Sequence, residues 1–212
     1  MCSADYPLDR VYWIGGGSGG GKSTVASLLA AGHGLTCYST DAAMRAHARQ
    51  LTADEAPLLH RFLAMDMNER WLDRSPTEML VTFQWFRGEG FDRIIADLRE
   101  LASDGPVVAE GFHLLPNLVA PLLSERRRAV WLLPTPEFRL AVFKNRLATG
   151  RHFVERTSDP DRALAKLAER DGLFTDRLRA EVQSLGLAAV DVDGSVTAEA
   201  MAAEIGRRLG LV

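Results

Sequence analysis

VYWIGGGSGGGKST, residues 11–24, decides how the rest of the chain is read. Val11, Tyr12, Trp13 and Ile14 form a short apolar run of β-branched and aromatic residues, the composition of a buried strand. Gly16 to Ser23 then fits G-x-x-x-x-G-K-[ST], the spacing of a phosphate-binding loop. A loop that wraps a polyphosphate must turn successive backbone N–H groups inward, through angles that glycine adopts without steric cost. Gly16, Gly17, Ser18, Gly19, Gly20 and Gly21 supply such a backbone. Lys22 is spaced to reach the outer phosphates as a point charge, and Ser23 to ligate Mg²⁺, with Thr24 completing the nucleotide-binding set. A helix beginning here directs unpaired N–H groups and a partial positive charge at the same phosphates.

Two other readings of the glycines are weaker. Gly15, Gly17 and Gly20 also satisfy G-x-G-x-x-G, with Asp41 about the right distance downstream to hold a ribose. A dinucleotide-binding turn has no use for a lysine at the helix start, so Gly21-Lys22-Ser23-Thr24 argues against it. A flexible glycine linker would not lie directly between an apolar strand and an apolar-periodic helix.

Composition narrows the class. The chain has 212 residues, 47% hydrophobic and 25% charged, ordinary for a soluble α/β domain with a sizeable core. A net charge of −3 argues against a dedicated nucleic-acid binder, which is usually basic. Cys2 and Cys37 are unclustered, so neither a disulfide framework nor a zinc site is expected. Met1 to Arg10 lacks the pattern of a signal peptide, and no apolar run approaches a membrane span. The expectation is a cytoplasmic protein in a reducing compartment, with no internal repeat and no linker: a single domain over residues 1–212.

Periodicity outlines the elements. After a lead-in over Met1–Asp9, strands are expected at Val11–Ile14, Leu35–Tyr38, Pro106–Ala109, Ala129–Leu133 and Leu187–Val192. The first helix should run from Lys22 to Ala31, stopped by Gly32 and Gly34. Residues 51–105 carry helical spacing and no strand, and Ser75-Pro76-Thr77-Glu78 has the form of a capped helix start. Short helices are expected at Leu118–Leu123 and Glu137–Ala148, one or two over Asp161–Leu185, and a closing helix at Thr197–Leu209. Strands alternating with helices predict an α/β fold of the P-loop NTPase type. Its five-stranded parallel sheet is flanked by helices on both faces, with a helical insertion between strands two and three.

Two carboxylates stand where such sheets bind ligands, at the carboxyl ends of strands. Asp41 follows strand two and reads either as a helix cap or as a general base for an acceptor hydroxyl. Glu110 follows Val107-Val108-Ala109. A carboxylate directly after a buried strand is costly without a partner, which favours a role at the metal or the acceptor over a plain Glu-Gly turn.

The three motifs together, GGSGGGKST, YSTDAAMR and VVAEGFHLL, resemble the uridine kinase, phosphoribulokinase and pantothenate kinase group. Glu-Gly-Phe-His-Leu-Leu-Pro also resembles 2-phosphoglycerate kinase-like proteins, and an Asp after strand two suits chloramphenicol phosphotransferase. The resemblance covers about a quarter of the chain. It implies ATP and Mg²⁺ as cofactors, with Lys22 and Ser23 on the nucleotide, Asp41 as base and Glu110 at metal or acceptor. It also implies that the adenine rests by Asp191–Ser195. Ala42-Ala43-Met44 departs from the aromatic pair that follows the Asp in uridine kinases, and the insertion carries no motif of these families.

Several further residues are candidates. Arg45 and Arg49 lie four apart on one helix face, for an anionic acceptor or a solvated surface. Arg146, Arg151 and Arg156 straddle a basic segment, about 146–160, that reads as a lid neutralising the transferred phosphoryl. The triplet Arg126–Arg128 reads as surface charge. Trp71, Phe83, Trp85, Phe86 and Phe91 read first as core, with Trp71 or Trp85 also suited to an acceptor pocket. His113 reads first as structural and second as an acceptor contact. The function expected is a kinase, a phosphotransferase with an alcohol group as acceptor. It would move the γ-phosphoryl of ATP to a small molecule: a nucleoside, a sugar acid or a natural product. Its partner is that acceptor, with neither nucleic acid nor membrane, and a homodimer is left open. An ATPase switch acting on a protein is the alternative from another class. A nucleoside monophosphate kinase would require Arg45 and Arg49.

Overall fold

Trp13 and Ile14 are both fully buried although they are neighbours in one strand, because the sheet they belong to is covered on both faces. In the computed structural model of the protein, which describes residues 7–150 and 152–211, five strands lie parallel. They are β1 (Val11–Gly16), β2 (Thr36–Ser39), β3 (Val107–Glu110), β4 (Ala129–Pro134) and β5 (Ala188–Val192). Their spatial order is β2-β3-β1-β4-β5, a P-loop NTPase-like arrangement with β1 between β3 and β4.

Alternation sorts the strand side chains into two cores. Ile14, Val108, Val130 and Leu132 point to the face covered by α1 (Lys22–His33) and α9 (Ala198–Leu209), packing with Val25, Leu29 and Ile205. Val11, Trp13, Val107, Ala109, Trp131 and Leu133 point to the other face, in one core with α5 (Phe91–Asp104) and α8 (Pro160–Ser184).

The insertion is helical throughout, as its spacing predicts, but in short pieces. After α2 (Thr40–Gln50) come α3 (Pro57–Ala64), a π turn at Glu69–Asp73, α4 (Pro76–Thr82), a 3₁₀ turn at Gln84–Arg87, and α5. The expected cap forms in full: Ser75 Oγ accepts from the Glu78 N–H at 3.2 Å, and Glu78 Oε2 accepts from the Ser75 N–H at 2.7 Å. The pieces are held by their rings. Phe62, Trp71 and Phe83 meet edge-on or tilted with centroids 5.3 to 6.0 Å apart. Phe86 lies parallel to Phe174 of α8 with centroids 3.6 Å apart, and Arg177 of α8 donates to the Phe86 carbonyl at 3.1 Å.

Some boundaries differ from expectation. Gly32 lies inside α1, which ends only at Gly34, where φ is 64°. The stretch Leu118–Leu123 is a four-residue helix α6 (Pro116–Val119) followed by a 3₁₀ turn. Pro134 closes β4, and α7 (Pro136–Ala148) starts two residues later, where a proline needs no N–H partner. The expected one or two helices over 161–185 are a single helix, α8, ending at Ser184 and capped by Asp159 accepting from the Arg162 N–H at 3.1 Å. Of the lead-in Met1–Asp9, residues 1–6 lie outside the described residues, and Pro7–Arg10 is a 3₁₀ turn. No helix among the described residues is long and apolar enough to cross a membrane.

Candidate active site

Strand register builds the site. Glu110 pairs with Ile14 on one side and Ser39 on the other, so three strands end abreast. Past Ile14 the chain enters the glycine loop. Past Ser39 it enters α2, which places Asp41 in the first helical turn rather than at the strand end. Gly111, at φ 146°, turns the chain after Glu110, and a side chain there would overlap the Thr40 hydroxyl. That close approach sets the start of α2, and with it Asp41, beside Glu110.

The loop is shaped by its neighbours. Gly16 has φ 129°, and a Cβ there would collide with the Leu132 carbonyl of β4. Gly17 N–H donates to that carbonyl at 3.0 Å. A Cβ on Gly17 would come within 2.7 Å of the Thr175 hydroxyl of α8. Lys22, 7% exposed, donates from Nζ to the Gly17 carbonyl at 2.8 Å, which holds its amine across the loop. Ser23 Oγ donates to Glu110 Oε2 at 3.0 Å. Glu110 is buried, and its Oε1 has no hydrogen-bond partner among the described residues.

These residues fit the nucleotide and metal expected. Backbone N–H groups at a helix N-terminus suit phosphates. A buried carboxylate oxygen without a donor is unfavourable by itself, and a hard cation beside Ser23 and Glu110 would satisfy it. Among the described residues no cluster of three or more His, Cys, Asp or Glu is arranged for a metal.

Charges converge on the same place. Burial pulls the Lys22 amine below its ordinary value, while Asp41, Glu110 and Asp171 oppose the shift. The Asp41 carboxyl still meets solvent, yet the protein around it raises its proton affinity; Glu110 raises it further and Lys22 pulls it back. An Asp with raised proton affinity is suited to accept a proton.

Lys22, Ser23, Thr24, Asp41 and Arg146 face one cavity of about 430 Å³, which continues along an aromatic wall. Trp71 and Trp85 are both in that wall and both nearly buried, so they pack in the core and line the cavity at once. Phe153, from the expected lid, tilts over Trp71 at 4.7 Å. The lid segment is packed: Val154 is wholly buried, and the Ser158 N–H donates to Asn68 of the insertion at 2.8 Å.

Other candidates lie off the wall. Arg45 and Arg49 are exposed on α2 and do not line the cavity. His113 is buried, stacked on Trp85 at 4.8 Å, with its pKa pushed down to about 3, mainly by burial and then by His47 and Lys22. It does not reach the cavity. Arg156 is exposed and away from it, and Arg151 lies outside the described residues. Asp191 is in β5 and pairs with Arg179 at 2.6 Å. Arg127 and Arg128 pair with Glu125, as surface charge would.

Residues not singled out in the sequence complete the wall. Arg170 and Asp171 of α8 are almost fully buried; Arg170 donates to Asp171 Oδ1 from Nε at 2.7 Å and Nη2 at 2.5 Å. Arg139 of α7 donates to Thr175 at 3.1 Å, beside the loop. His152 also lines the cavity, its pKa lowered by burial and by Arg146. A signal for Asp171 exists: Leu164, Leu167, Asp171, Phe174 and Leu178 follow helical spacing, so a charge stands where the stripe calls for a hydrophobe.

No protein-family model and no curated protein matches the chain. Among solved structures, it is similar to an uncharacterized protein from Eubacterium ventriosum ATCC 27560, with TM-score 0.50 and 14% identity over 96% of this chain and 99% of that one. That likeness is one of fold. It is also similar to a protein described as "a putative kinase" from Chloroflexus aurantiacus J-10-fl, with TM-score 0.46 and 15% identity over 94% and 97% of the two chains.

Proposed function

We propose that the protein is a phosphotransferase that moves the γ-phosphoryl of ATP, bound with Mg²⁺, to the hydroxyl of a small molecule. The observation that carries this reading is the single cavity in which the Lys22 loop and Asp41 meet a walled aromatic chamber. A hydrolase that only poises water needs no such chamber beside the phosphates.

Each residue has a part in this reading. The loop N–H groups and Lys22 hold the phosphates and oppose the charge that develops during transfer. Ser23 and Glu110 would hold Mg²⁺, which when bound neutralises phosphate charge. Asp41 orients the acceptor hydroxyl and takes its proton. Arg146, exposed at the cavity edge, adds positive charge near the transferred group. The aromatic wall excludes water that would otherwise compete with the acceptor.

The test is ATP consumption with Mg²⁺ across nucleosides, sugar acids and hydroxylated natural products, each against a blank without acceptor. A many-fold rise with one class, and a product heavier by one phosphoryl group, is expected. A steady rate indifferent to every acceptor would overturn the reading in favour of an ATPase that acts on a protein.

A further inference from the structure

Among the described residues, Arg170 at the aromatic chamber carries a buried donor without a hydrogen-bond partner. Arg170 is 4% exposed, and its guanidinium lies 4.7 Å from the Phe83 ring centre, 5.0 Å from Phe86 and 5.2 Å from Trp71. Nε and Nη2 are both engaged by Asp171, while Nη1 is buried and has no partner. Buried donors are nearly always paired, and an unpaired one on a charged group is costly. Arg170 and Asp171 both line the cavity.

What surrounds that donor limits its ligand. Phe62, Trp71, Phe83, Phe86, Phe112 and Phe153 line the same cavity and form one connected set of ring contacts. These rings offer faces and edges to a flat apolar body, with the Trp71 indole N–H, His152 and Asp171 as the few polar groups beside them. A sugar acid or a ribose placed here would bury several hydroxyls without partners, at roughly 1–3 kcal/mol each. A purine or pyrimidine would strand several ring polar atoms in the same way. Because Arg170 and Asp171 neutralise each other, Nη1 calls for an oxygen acceptor and does not demand a full negative charge.

We propose that the phosphoryl acceptor is an arene-bearing alcohol. Its ring is held by the Trp71–Phe83–Phe86 wall, and a carbonyl or carboxylate oxygen on the ring accepts from Arg170 Nη1. The proposal rests on the phosphotransferase reading and narrows its acceptor class. In the reaction the alcohol oxygen bonds to the γ-phosphorus and the bond from that phosphorus to the β,γ-bridging oxygen breaks. The bridging electron pair leaves with ADP, and the hydroxyl proton passes to Asp41.

Binding tests the proposal apart from turnover. The full chain, without nucleotide, is titrated with 4-(hydroxymethyl)benzoate, 4-(hydroxymethyl)acetophenone, benzyl alcohol, ribose and glycerate, following tryptophan emission. The two ring compounds bearing an oxygen acceptor should bind at least about tenfold more tightly than benzyl alcohol, as expected for one hydrogen bond to a charged donor. Ribose and glycerate should give no change. Trp71→Phe should remove most of the signal. Arg170→Met should erase the preference, so that the two oxygen-bearing ring compounds bind no more tightly than benzyl alcohol. The paired variant Arg170→Met/Asp171→Leu, which leaves no stranded carboxylate, should do the same if the single variant folds poorly.

Equal binding of polyols and arenes, or quenching by ATP alone, overturns the proposal. So does a preference that survives loss of Arg170. With Mg²⁺-ATP, phosphorylation of polyols alone would sink this inference and keep the phosphotransferase. Arenes that bind with the Arg170 preference but are not phosphorylated would overturn the acceptor assignment, and if no other acceptor is phosphorylated either, the phosphotransferase reading falls with it.

Discussion

The two parts of the cavity are built in opposite ways. The glycine-loop end, the proposed phosphate site, comes from one stretch, residues 16–24, whose shape is a matter of backbone: Gly16 against the Leu132 carbonyl, Lys22 bonded to its own loop. The aromatic end draws Phe62 from α3, Trp71 from a π turn, Phe86 from a 3₁₀ turn, Phe112 from the turn after β3, and Arg170 from α8. A site made of local backbone is rigid and generic, because every nucleoside triphosphate presents the same phosphates. A site made of packed side chains from distant segments is particular to one ligand.

If that division is real, substitutions at the phosphate end should abolish transfer for every acceptor. Lys22→Ala should lower kcat/KM roughly a thousandfold, as loss of a phosphate-contacting charge does, measured as product formed with saturating Mg²⁺-ATP. An effect that varied with the acceptor would break the comparison. Asp41→Asn, at the junction, should lower kcat about a hundredfold with ATP affinity almost unchanged by calorimetry. In the wild type, kcat should fall as pH is lowered, with an apparent pKa above that of an ordinary aspartate, since Asp41 must be unprotonated to act and its proton affinity is raised.

His113 sharpens the same line from behind the aromatic wall. Its folded pKa of about 3 lies below the unfolded value of 6.5, so the unfolded chain takes up the proton first. Stability from this group is full above pH 6.5 and is lost as pH falls toward 3. Urea midpoints should report about 2 kcal/mol less from it at pH 5 than at pH 7, and His113→Phe should flatten that slope. The smallest effect is expected at Phe153, which is 43% exposed. Phe153→Ala should raise the acceptor KM about three- to tenfold, the worth of an aromatic contact, and leave the KM for ATP alone.

The same division explains what could be read before any coordinates. The five strands, the loop and the meeting of Ser23 with Glu110 follow from local spacing and from where strands end. Gly32 does not stop α1 because a lone glycine costs a helix only about 1 kcal/mol, less than the packing of Val25 and Leu29 returns. Arg45 and Arg49 satisfied the same spacing rule as a binding pair, but which face of α2 meets the cavity depends on how the helix packs. By sequence alone Arg170 and Asp171 look like solvated positions, because charges in a long helix ordinarily face water. Only the approach of the insertion, through Phe86 on Phe174, buries them.

That ring stack has a consequence for how the molecule opens. The helical pieces of the insertion run from seven or eight residues to fourteen, and the shorter ones have little helical stability in isolation. Phe86 and the Arg177 bond to its carbonyl fasten them to a 25-residue helix that also abuts Gly17 through Thr175. In amide hydrogen exchange the insertion and α8 should therefore exchange as one cooperative unit, with the slow amides of 76–82 and 164–178 released together.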